Sequence, residues 1–134
     1  EGLMGKFSLL PRLMEVAKFP PRMTGRGSCH DIVWRGDEID LRKLPIITCW
    51  PKDGGPYITL PMVISKDPVR GIRNVGMYRV QYLSPTTLAM HWQRHKTGAE
   101  HWRQMAEKGE RMPVAIAIGG DPASMYSASA PLPP

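Results

Sequence analysis

The chain has 134 residues, 42% hydrophobic and 22% charged, which is typical of one globular domain with its own core. Its longest apolar run, Val114–Ile118, is far shorter than the roughly 20 residues of a membrane-spanning helix. The net charge of +6 favours anionic partners, but the basic residues are scattered and do not form a nucleic-acid-binding pattern. Cys29 and Cys49 form no CxxC pair, which favours a reducing, cytoplasmic setting, although a single bridge between them stays open.

The first half of the chain predicts a short helix followed by strands. Apolar residues over positions 3–19 have helical spacing, but Pro11 interrupts it, so we expect the helix to begin near Pro11 and to end at Pro20. A strong Asp-Gly turn is expected over positions 51–55. The predicted strands are Cys29–Trp34, Pro45–Trp50 and Tyr57–Ser65.

The second half predicts further strands and one longer helix. The strands are expected over Asn74–Leu83, Thr86–Gln93 and Val114–Ile118, and the helix over Gly98–Gly109, with Ala99, Trp102, Met105 and Ala106 on one face. Tight turns between successive strands are typical of antiparallel pairing, and no glycine-rich phosphate loop leads from a strand into a helix. The order of elements therefore predicts an α+β domain built on a sheet or barrel.

The stretch NVGMYRVQ, residues 74–81, places a guanidinium in an apolar strand. Arg79 offers a planar fork that holds a carboxylate or phosphate bidentately, and Asn74 offers a carbonyl oxygen suited to Mg²⁺ or Mn²⁺. An odd separation puts these two side chains on opposite faces of a regular strand, unless Gly76 hosts a bulge. The structural alternative is that Asn74 ends a turn and Arg79 pairs with a surface acid.

Three histidines follow this stretch, namely His91, His95 and His101. The first two have the i, i+4 spacing of a helical zinc site, but their segment reads as extended. In a strand, His91, Gln93 and His95 would share one face instead. A classical zinc site is therefore not expected, while a metal ligand among these histidines and a purely structural role both stay open.

The acidic residues of the turns carry no predicted chemistry. Each of Asp53, Asp67 and Asp121 precedes a glycine or a proline, and turn formation accounts for all three. The tail serines, Ser127 and Ser129, have no histidine and aspartate in a triad-like context. We therefore assign none of these residues to catalysis.

Four segments, in order, strongly resemble the UbiD family of decarboxylases, which use prenylated flavin mononucleotide. They read PIITCWPKDGGPYITLPMVISKDPVRGIRNVGMYRVQ, HWQRHKTGAEHW, MPVAIAIGGDPA and SAPLPP, and the resemblance runs from about Asp40 to the last residue. It implies a mainly antiparallel split β-barrel, of the flavin-reductase-like type, with a few flanking helices. It also implies that residues 1–134 are a single prenylated-FMN-binding domain, a fragment of a longer decarboxylase.

The same resemblance implies a set of site residues. Asn74 and His95 look like the family's ligands for Mn²⁺, which bridges to the cofactor phosphate, and Arg79 looks like its catalytic arginine, which faces the flavin and the substrate carboxylate. The residues that match flavin-contacting segments are Met77, Tyr78, Arg79, His91, Trp92, Gln93, Lys96 and Thr97. The closing Ser-Ala-Pro-Leu-Pro resembles the loop over the phosphate and an accompanying potassium ion.

The implied reaction is non-oxidative decarboxylation of an aromatic or α,β-unsaturated carboxylic acid, such as a polyprenyl-hydroxybenzoate, through a covalent flavin adduct. The family's third metal ligand and its catalytic carboxylates would lie beyond Pro134, so we expect the isolated chain to be inactive. The implied partners are the acid substrate, the remainder of the decarboxylase chain and, at full length, a second copy of the protein. A non-catalytic flavin- or phosphate-binding module is the alternative, and a nucleic-acid-binding domain is a weaker third.

Overall fold

The computed structural model describes residues 10–16, 18, 20 and 23–130. The chain divides into a first unit, Glu1–Trp34, and a second unit, Arg35–Pro134. In the first unit, helix α1 spans Leu10–Val16 and so begins beside Pro11, as predicted. Proline is tolerated there because the first helical N–H groups have no partner within the helix.

The strand predicted over Cys29–Trp34 is wrong. Ser28–His30 form one turn of 3₁₀ helix, and no residue of the predicted strand pairs with another strand. Ile32 and Val33 are 74% and 52% exposed. β-Branched residues favour a strand only where a neighbouring strand and a buried face are available, and the described part of the first unit contains no strand.

Six strands and two α-helices form the framework of the second unit. The strands are β1 (Tyr57–Ile58), β2 (Pro61–Lys66), β3 (Arg73–Met77), β4 (Val80–Ser84), β5 (Thr87–Met90) and β6 (Ala115–Ile118), and the helices are α2 (Thr97–Glu107) and α3 (Pro122–Ser127). They form two antiparallel sheets, with strand orders β1-β4-β5 and β3-β2-β6. The predicted α+β class with antiparallel sheets is confirmed. None of the helices in the described ranges is both long and apolar enough to cross a membrane.

Two predicted strands are each divided between the two sheets. The strand predicted over Tyr57–Ser65 breaks into β1 and β2, and the strand predicted over Asn74–Leu83 breaks into β3 and β4. The strand predicted over Pro45–Trp50 is reduced to a single bridge between Ile47 and Tyr57. An alternating apolar pattern continues through a bend, so it does not reveal where a chain leaves one sheet for another.

The core of the second unit lies where helix α2 packs on strands β2 and β3. Alternate residues of β2 are buried, namely Pro61, Val63 and Ser65. The helix is confirmed, but it buries Gly98, Ala99 and His101, whereas Trp102 is 49% exposed. Ala99 of the predicted face is therefore buried, but the face that meets the sheet includes His101 in place of Trp102.

A buried polar network joins α2 to the end of β2. Ser65 Oγ lies 3.0 Å from His101 Nδ1, and His101 Nε2 lies 3.9 Å from Asp67 Oδ2. Asp67 also accepts hydrogen bonds of 2.8 Å from the backbone N–H groups of Val69 and Arg70 and from Arg70 Nε. These hydrogen bonds hold the pKa of Asp67 well below its usual range. The largest contribution comes from the backbone N–H of Arg70, followed by the Arg70 side chain and the N–H of Val69.

Asp67 should make the stability of the protein sensitive to acid. A carboxyl group whose pKa is lower in the folded chain than in the unfolded chain adds stability that is present above about pH 4 and lost as the pH falls. We expect Asp67→Asn, which keeps the shape but not the charge, to unfold at lower urea concentration at neutral pH and to lose less on acidification. The measurement is urea unfolding of parent and variant from about pH 7 to about pH 3.

Asp37→Asn serves as the control, since Asp37 is exposed and lies in the 3₁₀ turn Gly36–Glu38. Parallel stability–pH curves for the parent and Asp67→Asn would contradict this prediction.

Candidate functional site

The chain changes sheets at Tyr78 and Arg79, between the last residue of β3 and the first residue of β4. The bulge considered at Gly76 is absent, because the pairing of β2 with β3 runs without interruption from Met62–Met77 to Lys66–Arg73. The relative orientation of the Asn74 and Arg79 side chains is therefore set by the break between β3 and β4, not by a bulge.

Two glycines open a space for the ring of Tyr78. A Cβ on Gly76 would lie 2.6 Å from Tyr78 Cε2, and a Cβ on Gly98 would lie 2.8 Å from Tyr78 Oη and 2.5 Å from Trp92 Cζ3. The Gly98 N–H donates a 2.9 Å hydrogen bond to Tyr78 Oη. We call Gly76, Tyr78, Trp92 and Gly98 the tyrosine slot. It fixes the start of α2 against the end of β3.

An aromatic ring and a cation lie against Tyr78. The rings of Tyr78 and Trp92 meet edge to face, with centroids 5.0 Å apart. Lys96 Nζ lies 4.9 Å from the Tyr78 ring centroid and donates a 2.8 Å hydrogen bond to the Met77 carbonyl. The Met77 N–H in turn donates to the carbonyl of Ala128, just after α3. The end of β3 thus has a cation on one side and the tail segment on another.

Arg79 is held by groups from two other elements. Its Nη2 donates a 3.0 Å hydrogen bond to Asp53 Oδ2, and its guanidinium carbon lies 3.9 Å from the centroid of the Tyr57 ring. Its carbonyl accepts a hydrogen bond from the His91 N–H. The side chain of Asp53 is 18% exposed and that of Arg79 is 39% exposed. Arg79 therefore does pair with an acid, but the acid is mostly buried.

Sequence reasoning missed this role of Asp53. The residue does form the predicted turn, since its N–H donates to the Trp50 carbonyl and its carboxylate accepts from the Trp50 N–H. The same carboxylate oxygen also reaches Arg79, which lies 26 positions later. No local pattern signals a contact over that separation.

Asn74 lies on β3 opposite Ser65 of β2, so its side chain projects from the same face of the sheet as that of Ser65. Its Nδ2 is buried and has no hydrogen-bond partner among the described residues. Buried amides are nearly always hydrogen-bonded, so the unpaired Nδ2 donor fits a site that a further hydrogen-bond acceptor completes.

His95 is exposed, in a turn just before α2. Residues 91–95 are neither helix nor strand, so neither regular geometry considered for the histidines applies. His101 is not part of the turn that holds His95. It lies on α2, where it is buried against Ser65 of β2. Within the ranges that the structure describes, no group of three His, Cys, Asp or Glu side chains is placed to hold a metal ion.

Most of the predicted site residues are joined by contacts. Contacts join Met77, Tyr78, Trp92 and Lys96 in one group, and a backbone hydrogen bond joins His91 to Arg79. The Gln93 carbonyl accepts from the Lys96 N–H, and Thr97 begins α2. Asn74 shares strand β3 with Met77, and His95 directly precedes Lys96. Of the segment expected to cover a phosphate and potassium, residues 131–134 lie outside the described residues.

Residues 22–134 match the family model described as UbiD, 3-octaprenyl-4-hydroxybenzoate carboxy-lyase Rift-related domain. An uncharacterised protein of Aquifex aeolicus is 51% identical over 129 residues, which are 96% of this chain and 26% of that protein. The chain thus spans about a quarter of the length of the curated relatives it matches.

Solved structures are also similar to the chain. The vanillic acid decarboxylase of Sedimentibacter hydroxybenzoicus in its closed form gives a TM-score of 0.78 at 26% identity, over 99% of this chain and 29% of that one. An evolved dimeric form of the UbiD-class enzyme HmfF from Pelotomaculum thermopropionicum, in complex with prFMN, gives 0.58 at 30% identity, over 72% and 26%. The chain therefore belongs to the UbiD family, within which it matches the Rift-related domain of the carboxy-lyases.

Proposed function

We propose that this chain is the prenylated-FMN-binding domain of a decarboxylase that acts on an aromatic or α,β-unsaturated carboxylic acid. The observation that carries the proposal is that Tyr78 and Arg79 are the two residues of the crossing between β3 and β4, where Lys96 and Trp92 lie against the Tyr78 ring and Tyr57 lies against the Arg79 guanidinium. A similar enzyme binds prFMN, and another is a vanillic acid decarboxylase. We propose that the reaction is carried out by the longer protein of which this chain is a part, not by the 134-residue chain alone.

The proposed split β-barrel rests on the two short links by which the chain passes between the sheets, in addition to the longer passage from β5 to β6 through α2. The first lies between Ile58 and Pro61, and the second between Met77 and Val80. Two sheets that exchange strands in this way have the connectivity of the two halves of one barrel. Arg79 stands in the second crossing, where side chains from both sheets are within reach of a ligand.

Arg79 is proposed to orient the substrate carboxylate. A guanidinium has five N–H donors, and the described residues engage one of them, through Asp53. The remaining donors are able to hold a carboxylate in the bidentate manner that arginine favours. The Tyr57 ring covers one face of the guanidinium, which leaves the edge of the planar group for the anion.

The residues near the start of α2 are proposed to bind the cofactor phosphate. Lys96 supplies a cation there, and Thr97 begins a helix whose first turn favours an anion. Asn74, through its amide oxygen, and the exposed His95 are the proposed Mn²⁺ ligands, and this assignment comes from the family resemblance. An amide oxygen and an imidazole beside a phosphate suit such an ion. The potassium ion is proposed from the family resemblance alone.

The prenylated flavin, when bound, supplies the electron sink for loss of carbon dioxide. The residues of this chain bind and orient: Arg79 holds the carboxylate, and Trp92 with Tyr78 gives the site a rigid aromatic wall. We propose that the acid that delivers a proton to the product comes from the rest of the longer protein, as the family resemblance implies.

Asn74→Ala should lower metal and flavin retention. We expect manganese and flavin contents of the purified full-length protein to fall by at least about tenfold, because losing a ligand weakens metal binding at least as much as losing a supporting group. Flavin absorbance, metal analysis and carbon dioxide release from aryl and α,β-unsaturated acids are the measurements. Val75→Ala, on the exposed face of the same strand, is the control.

Full flavin and manganese occupancy in Asn74→Ala would contradict the role given to that residue. A parent protein that holds flavin but releases no carbon dioxide from any acid would favour the non-catalytic module.

A further inference from the structure

We propose that Asp53 is a positioning residue for Arg79, an inference that rests on the function proposed above. Its carboxylate lies in the turn at positions 51–55, outside the segments that carry the other site residues. It is the one described carboxylate that contacts the Arg79 guanidinium. Asp53 thereby fixes the direction in which Arg79 presents its free donors.

The carboxylate of Asp53 is itself held in place. One oxygen, Oδ2, accepts from both the Trp50 N–H at 3.2 Å and Arg79 Nη2 at 3.0 Å. Gln81 Nε2 donates a 2.7 Å hydrogen bond to the Gly54 carbonyl and so ties the turn to β4. The turn and the strand that follows Arg79 therefore move together, and the distance from Asp53 to Arg79 is fixed by several bonds.

Arg79 is restrained from two directions. The Tyr57 ring covers a face of the guanidinium, and Asp53 holds one of its ends. Tyr57 pairs with Gln81 across β1 and β4, and Gln81 also holds the turn that carries Asp53, so both restraints are tied to β4. A free arginine side chain has many rotamers, and ordering it during each turnover would slow the reaction. Asp53 and Tyr57 remove that freedom before the substrate arrives.

The charge of Asp53 has a second effect on a substrate carboxylate. A negative group beside Arg79 weakens the attraction of the guanidinium for an incoming anion, while it improves the orientation of the guanidinium. The two effects act on different kinetic constants. Loss of the charge should therefore lower kcat and leave KM unchanged or lower, whereas a merely structural defect would raise KM and reduce flavin content.

The test is Asp53→Asn in the full-length protein. Asparagine keeps the shape of the side chain and can still accept from the Trp50 N–H, but it loses the ionic part of the pair with Arg79 and holds the guanidinium less firmly. We therefore expect kcat to fall by roughly tenfold to a hundredfold, as for a small misplacement of a catalytic group. We also expect an unchanged or lower KM and full flavin content. Asp40→Asn is the matched control, because it removes the charge from another Asp–Arg pair, with Arg42, in the same unit.

The outcomes separate this inference from the proposed function. A parent that binds no flavin and releases no carbon dioxide defeats both. An active parent combined with unchanged kcat in Asp53→Asn, a raised KM or lost flavin defeats the positioning role alone.

If Asp53→Asn does not fold, Asp53→Ser provides a second test, since a serine hydroxyl can still accept from the Trp50 N–H in the turn but is too short to hold Arg79. Parent-like kcat in Asp53→Ser overturns the inference, and a reduced kcat with full flavin content supports it.

Discussion

Replacing Arg79 with alanine should remove most of the decarboxylation by the full-length protein and leave its flavin in place. The guanidinium is the group proposed to hold the substrate carboxylate, and removing one preorganised donor typically lowers a rate by about 10²–10³. Folding should survive, because the side chain lies outside the core and is 39% exposed. Carbon dioxide release and flavin absorbance, measured on the same preparation, test both halves of this expectation.

Two further variants isolate the cause of that loss. Arg79→Lys keeps the charge but lacks the planar fork, so it should restore only a small part of the activity. Arg73→Ala removes another cation, exposed on β3, and should leave turnover unchanged. Turnover in Arg79→Ala within about tenfold of the parent, far less than the loss expected for a catalytic donor, would remove the role given to this residue.

Gly98→Ala should destabilise the protein, although alanine is the better helix former. The helical preference for alanine is worth up to about 1 kcal/mol. Against it, the new Cβ would lie 2.5 Å from Trp92 Cζ3 and 2.8 Å from Tyr78 Oη, and overpacking of this kind costs about 1–3 kcal/mol. Tyr78 is buried, with Gly76 on another side, so its ring has little room to move. We expect a lower urea-unfolding midpoint.

The control for this substitution is Gly25→Ala, because no atom of the described residues, its chain neighbours apart, lies within 4 Å of a Cβ at that position. Its effect should stay within about 0.5 kcal/mol. The double variant Gly98→Ala, Trp92→Leu removes the nearest clashing atom and should recover part of the loss. A gain of stability in Gly98→Ala would show that the tyrosine slot is looser than its geometry indicates.

The sequence predicted correctly those turns, helices and strands that depend on residues close together in the chain. The turn at positions 51–55 follows from its Asp-Gly pair, and α2 and β6 follow from their apolar patterns and flanking glycines. The crossings between the sheets were not predicted, because side chains continue to alternate through them. The strand predicted over Cys29–Trp34 failed for a related reason: a strand needs a partner, and local pattern does not supply one.

The candidate site was predictable in part. Arg79 was conspicuous as a charge in an apolar stretch, and the family resemblance supplied its neighbours along the chain. Asp53 was missed because its contact with Arg79 joins distant positions. The structural role of His101 was left open, since burial depends on which face of α2 meets the sheet, and the spacing of apolar residues pointed to Trp102 instead.

The short link between Met77 and Val80 limits where the length of this chain is free to change. Only two residues connect the sheets there, and one is buried while the other bears the guanidinium. An inserted residue at that place would turn Arg79 away from Tyr57 and pull Tyr78 from its glycines. The connection at positions 108–114 is mostly exposed and does not position a residue of the candidate site. Insertions and deletions, natural or engineered, should therefore accumulate after α2 and spare the link.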